Sequence, residues 1–174
     1  MKLSADSLRH WANVAATGVY FGVLQWGAFF QLQSYLASTA VVYLLATTVW
    51  LAGSFAGLLL PMRAGEGWWI AAAASGYYGL RAVAVAHPYD FGLLPVLLAF
   101  VALMGGYAGR FFRARQEAAG GAKWLFLVEN TGFVAGLVAT VAGLYWLGEG
   151  FLAVAPGALA AVCLATAGAG RFRN

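Results

Sequence analysis

The chain has 174 residues, of which 63% are hydrophobic and only 9% charged, with a net charge of +4. A soluble domain is about 45–50% apolar and about 25% charged, and one of this size still exposes roughly 30% of its unfolded-chain surface. A soluble globular domain is therefore excluded, and so is a disordered chain, which needs low hydrophobicity.

A helix needs about 20 mostly apolar residues to cross roughly 30 Å of hydrocarbon. Six runs qualify in chain order: 11–30, 35–60 (stopped by Pro61), 68–86 (ended by His87-Pro88), 91–109, 124–147 and 151–169. They are too long and too uniformly apolar for barrel strands. The fold class read from the sequence is thus an all-α integral membrane protein, a six-helix transmembrane bundle forming a single domain over 1–174. The first run lacks a small-residue cleavage site and reads as a retained anchor, not a signal peptide.

Charge gives the orientation. Lys2, Arg9, Arg63, Arg110, Arg113, Arg115, Lys123, Arg171 and Arg173 all fall on one side of a six-span chain. The loops on the other side hold Gln31, Gln33, His87, Asp90 and Glu149. The positive-inside rule puts both termini in the cytoplasm, with the protein in the cytoplasmic (inner) membrane. Trp11, Trp68, Trp69 and Trp124 at the inner ends, and Tyr35, Tyr89, Tyr145 and Trp146 near the outer ends, form the expected aromatic belts. Charge placed this way serves topology and does not indicate nucleic-acid binding. The Arg110–Arg115 segment with Lys123 is expected to contact anionic headgroups or a partner.

Glycine is the dominant packing signal. Gly18/Gly22, Gly53/Gly57, Gly105/Gly109 and Gly132/Gly136 each place two small residues one helical turn apart, which lets helix backbones approach closely. They suit packing within the bundle, and also a docking surface for another subunit. Spans two and five read alike, LAGSFAGL at 51–58 against NTGFVAGL at 130–137, and spans one and four share the paired glycines. This suggests two three-helix halves, which must have opposite topology because three is odd: a 3+3 inverted repeat.

The segment YLASTAVVYLLATTVWLAGSFAGLLLP at 35–61, then 105–148 with RFFRARQ and LFLVENTGFVAGLVATVAGLYWLG, resembles the membrane part of spermidine-synthase-like integral membrane proteins. That part in turn resembles half of a major-facilitator-type transporter. The resemblance covers about half of the chain and implies a Gly-rich helical membrane domain associated with an aminopropyltransferase-like enzyme. It departs at Glu129-Asn130-Thr131, where the family carries an acidic residue followed by a small one. No dinucleotide-type fold follows before Asn174, so no aminopropyl transfer is carried over.

Few residues can carry chemistry. Arg81 in span three and Glu129 in span five are ionisable groups inside predicted spans, each roughly 8–9 Å from its own interface, and such groups are functional candidates by default. Arg81 is expected to snorkel toward Asp90 or headgroups, and Glu129 to lie nearest Arg110 or Arg113. Asn130, Gln25, Asn13, Thr47 and Thr48 either line a polar path with Glu129 or bond neighbouring helices together. His10 and His87 lie at opposite ends of their spans, which argues against a bis-histidine haem, and there is no CxxCH. The single cysteine, Cys163, excludes an internal disulfide, and no metal-site spacing or nucleophile–base set is present. No cofactor is expected, although a bound lipid or quinone remains compatible. Two functions stand: an accessory subunit packing against a larger membrane complex, without catalysis, or a small proton- or cation-coupled transporter acting as a homodimer.

Overall fold

The computed structural model describes residues 5–60, 65–116 and 121–168. Among them every regular element is helical: α1 (Ala5–Tyr35), α2 (Ala40–Leu59), α3 (Glu66–Ala86), a short 3-10 turn (Phe91–Leu93), α4 (Leu94–Arg115), α5 (Ala122–Leu147) and α6 (Glu149–Gly168). Four stretches are long and apolar enough to cross a membrane: Ala40–Leu59, Phe91–Arg115, Ala122–Leu147 and Glu149–Ala167. α1 and α3 have the length but are more polar.

Local chemistry sets the ends. The Thr39 hydroxyl accepts from Val42 N at 3.3 Å and caps α2. Gly148 has φ of 58°, a conformation that glycine adopts without Cβ strain, and its N–H closes α5 on Leu144 O at 3.0 Å. After α3, residues His87-Pro88-Tyr89-Asp90 form a turn in which the Asp90 carboxylate accepts from Gly92 N at 2.9 Å. The Tyr89 N–H reaches back to Tyr35 O at 2.6 Å.

Three helices run further than the sequence suggests. α1 continues past Phe30 to Tyr35, so Gln31 and Gln33 are helical, and Gln31 is buried. The spacing Tyr20, Leu24, Ala28, Leu32 keeps one buried stripe running to the helix end. α4 continues past Gly109 to Arg115, so Arg110, Arg113 and Arg115 lie on a helix and not in a loop; arginine is a good helix former. Glu149 likewise opens α6. Lys2, Pro61, Arg63, Arg171 and Arg173 lie outside the described residues.

The chain forms two compact units, one of Met1–Val23 with Arg115–Asn174 and one of Leu24–Ala114. In the first, α1 and α5 cross with their backbones in contact. A Cβ on Gly18 would strike the Glu129 carbonyl, on Gly22 the Phe133 carbonyl, on Gly132 the Ala15 carbonyl and on Gly136 the Val19 carbonyl. Residue numbers rise together, so the two helices are parallel. In the second unit α2 and α4 do the same. A Cβ on Gly105 would strike the Trp50 carbonyl, on Gly109 the Ser54 carbonyl, on Gly53 the Ala102 carbonyl and on Gly57 the Gly106 carbonyl.

The two crossings use corresponding residues throughout. One constant shift carries Ala15, Gly18, Val19 and Gly22 of α1 onto Ala102, Gly105, Gly106 and Gly109 of α4. A second carries Trp50, Gly53, Ser54 and Gly57 of α2 onto Glu129, Gly132, Phe133 and Gly136 of α5. The correspondence extends to a third helix in each unit. Gly79 and Gly76 of α3 lie against Phe100 and Met104 of α4. The first shift carries these onto Thr166 and Cys163 of α6, which meet Asn13 and Thr17 of α1. Both of these third contacts are antiparallel.

Because each crossing glycine faces backbone and not a flexible side chain, the structure cannot yield to an added side chain. Leucine at Gly57 or at Gly136 is expected to cost about 1–3 kcal/mol of stability, measured by unfolding in mild detergent. Leucine at Gly150, where a Cβ would meet nothing within 4 Å, is the control and should change little. Equal stabilities for all three variants would contradict the crossing geometry.

Candidate functional site

The corresponding positions of the two units differ in chemistry. Where the second unit has Phe100, Met104, Gly79 and Trp50, the first has Asn13, Thr17, Thr166 and Glu129. Asn13 is 3% exposed and donates from Nδ2 to Thr166 Oγ1 at 2.7 Å. Its Oδ1 is buried and accepts no hydrogen bond among the described residues. The fully buried Thr17 hydroxyl donates to Cys163 Sγ at 3.9 Å. Thr166 in turn donates to Val162 O at 3.0 Å.

Glu129 is half-buried on the stripe of α5 that carries Leu125, Gly132 and Gly136 against α1. Its backbone carbonyl abuts Gly18. A helical side chain leans toward the start of its own helix, and α5 runs parallel to α1, so Glu129 leans toward the end of α1 that carries Asn13. Among the described residues its carboxylate makes no hydrogen bond or ion pair. Asn13 Oδ1 and the Glu129 carboxylate are thus oxygen acceptors without a hydrogen-bond partner among the described residues. Among the described residues no group of three or more His, Cys, Asp or Glu side chains is placed to hold a metal ion.

The other candidates are distributed differently. Arg81, half-buried on α3, and Gln25, half-buried on α1, belong to the second unit, as do Arg110 and Arg113. Arg113 donates from Nη1 to Leu58 O at 2.8 Å and Leu60 O at 3.2 Å. It thereby satisfies carbonyls left open at the end of α2 and complements that helix's dipole. Arg110 is 5% exposed. Arg115 is half-buried at the end of α4. Asn130 is exposed and lines a groove of about 410 Å³ along the outer face of α5 with Lys123, Phe126, Leu127, Thr131 and Val134. Lys123 lies 5.8 Å over the ring of Trp124. Thr47 donates to Tyr43 O at 2.9 Å, a bond within its own helix.

One polar contact was hidden in the sequence. Gln31, 1% exposed, donates from Nε2 to the Tyr77 hydroxyl at 2.7 Å. Counting Gln31 as a loop residue concealed it; continuing the α1 periodicity through Gly27 and Ala28 would have placed it on the buried face. The Gly27 backbone also lies against the Tyr77 ring.

Compared with protein families, curated proteins and solved structures, the chain matches none. The candidate site therefore rests on its own geometry.

A double-mutant cycle tests the Asn13–Thr166 bond. Asn13→Ala and Thr166→Ala should be non-additive, with a coupling of about 0.6–1.7 kcal/mol, the range for hydrogen bonds between membrane helices. Unfolding in bicelles measures it, and strict additivity would remove the bond from the site.

Proposed function

We propose that the chain crosses the membrane six times as a 3+3 inverted repeat and works as a small proton- or cation-coupled carrier, active as a homodimer, with Glu129 as its coupling group. The observation that carries this reading is the breaking of the correspondence between the units. Packing alone would leave matching positions free to be equally apolar. Here the second unit has apolar residues or glycine at the four matching positions, while the first has Asn13, Thr17, Thr166 and Glu129. Polar groups inside membrane segments are costly and mark pathways for ions or protons.

The helix directions support six spans. α2 and α4 are parallel, so the chain must return between them, and α3 with 21 residues is about 31 Å long at 1.5 Å per residue, enough to cross. Its lower hydropathy follows from its glycines, tyrosines and Arg81. With alternating spans, the trio α1, α5, α6 and the trio α4, α2, α3 have opposite topology, as in inverted-repeat carriers. The basic residues then face the cytoplasm, with both termini on that side. The resemblance to half of a major-facilitator-type transporter agrees with this.

An accessory subunit is the second reading. The four glycine pairs lie against helices of this same chain and no longer speak for it. What favours it is the exposed apolar face of α2 (Leu44, Leu51, Phe55, Leu59) and of α5 (Phe126, Val134, Val138, Val141), which either lipid or a partner covers.

Reconstitution in liposomes with a lumenal pH dye separates the two. The carrier reading predicts proton flux under an imposed potential, reduced at least tenfold by Glu129→Gln and partly retained in Glu129→Asp. Absence of flux together with stoichiometric foreign subunits in native-gel bands would establish the accessory reading instead.

A further inference from the structure

The second unit contains a buried guanidinium two of whose nitrogens have no acceptor among the described residues. Arg110 lies near the end of α4, in the corner where α2 stops and α3 begins. It is 5% exposed, and its Nε and Nη1 atoms are buried with no hydrogen-bond partner among the described residues. No carboxylate among those residues forms an ion pair with it. Its neighbour Arg113 does have acceptors, the carbonyls of Leu58 and Leu60. The corner therefore holds one cation already used to close a helix and a second one that is not.

Packing fixes Arg110 in this place. A Cβ on Gly57 would come within 3.0 Å of the Arg110 backbone nitrogen, so α2 presses on α4 at this residue. One turn earlier on α4, Gly106 is covered by the ring of Trp69, whose Cζ3 would lie 3.8 Å from a Cβ there. The Trp69 Nε1 is a second buried donor with no partner among the described residues. Two unfilled buried donors, one of them always charged, thus flank a single turn of α4. The shift that carries α1 onto α4 pairs Val23 with Arg110, so the crossing itself does not require a charge here.

A charge out of water needs a partner of opposite sign, and an arginine fork suits the several acceptor oxygens of a phosphate group. We propose that Arg110, with Trp69 Nε1 as second donor, forms a binding site for a phosphate group at the α2–α3–α4 corner, supplied by an anionic phospholipid headgroup or by free phosphate. The site is independent of Glu129 and stands whether or not the carrier reading does.

The test is thermal unfolding of the detergent-purified full chain with short-chain phosphatidylglycerol and, separately, with inorganic phosphate. Phosphatidylglycerol should raise the midpoint of the wild type, with an apparent affinity at least tenfold weaker in Arg110→Gln. Trp69→Phe keeps the ring over Gly106 and removes only the donor, so it should weaken binding while folding normally. It decides the matter if Arg110→Gln fails to fold. An equal, Arg110- and Trp69-dependent rise with inorganic phosphate alone would identify free phosphate as the source. A rise unchanged by both substitutions, or none with either additive, would overturn the proposal.

Discussion

Close contact between helix backbones is the constraint on which the rest of the structure depends. In lipid there is no hydrophobic force between helices, so association relies on packing and a few hydrogen bonds. Four glycine pairs bring α1 onto α5 and α2 onto α4, each with carbonyls lying where a Cβ would otherwise be. These contacts set the direction of every helix they touch. They also fix which side chains of the third helix, α6 or α3, come to lie against α1 or α4.

Once the two crossings are seen to use corresponding residues, the departures become informative. Asn13 replaces a phenylalanine position, Thr17 a methionine position and Glu129 a tryptophan position; Arg110 stands where α1 has Val23. Packing would accept an apolar residue at each. The polar groups therefore sit on a scaffold that does not need them, and a buried polar group must be matched by a partner or by a ligand. Among the described residues, Asn13 Oδ1 of the first unit and Arg110 and Trp69 Nε1 of the second are buried without a hydrogen-bond partner.

Much of this was legible in the sequence. Helical periodicity and apolar length located all six helices, and the register of LAGSFAGL against NTGFVAGL is the register of the crossing contacts. What escaped lay at helix ends. Gln31 looked like a loop residue because an amide is polar, yet it continues the buried stripe of α1 and bonds Tyr77. The arginines after Gly109 looked like a surface loop, because charge alone does not show that one of them is buried and another caps α2. Local composition cannot report partners that are distant in sequence, and the Asn13–Thr166 bond is of that kind.

The proposal most open to test is that α3 crosses the membrane between the parallel helices α2 and α4. Single cysteines at Gly65 and Pro88, in a Cys163→Ala background, test it directly in sealed, oriented membrane vesicles. The account predicts that an impermeant maleimide labels one of them in intact vesicles and the other only after the vesicles are opened. Labelling of both from the same face would mean that α3 does not cross, and the six-span, opposed-halves account would fall with it.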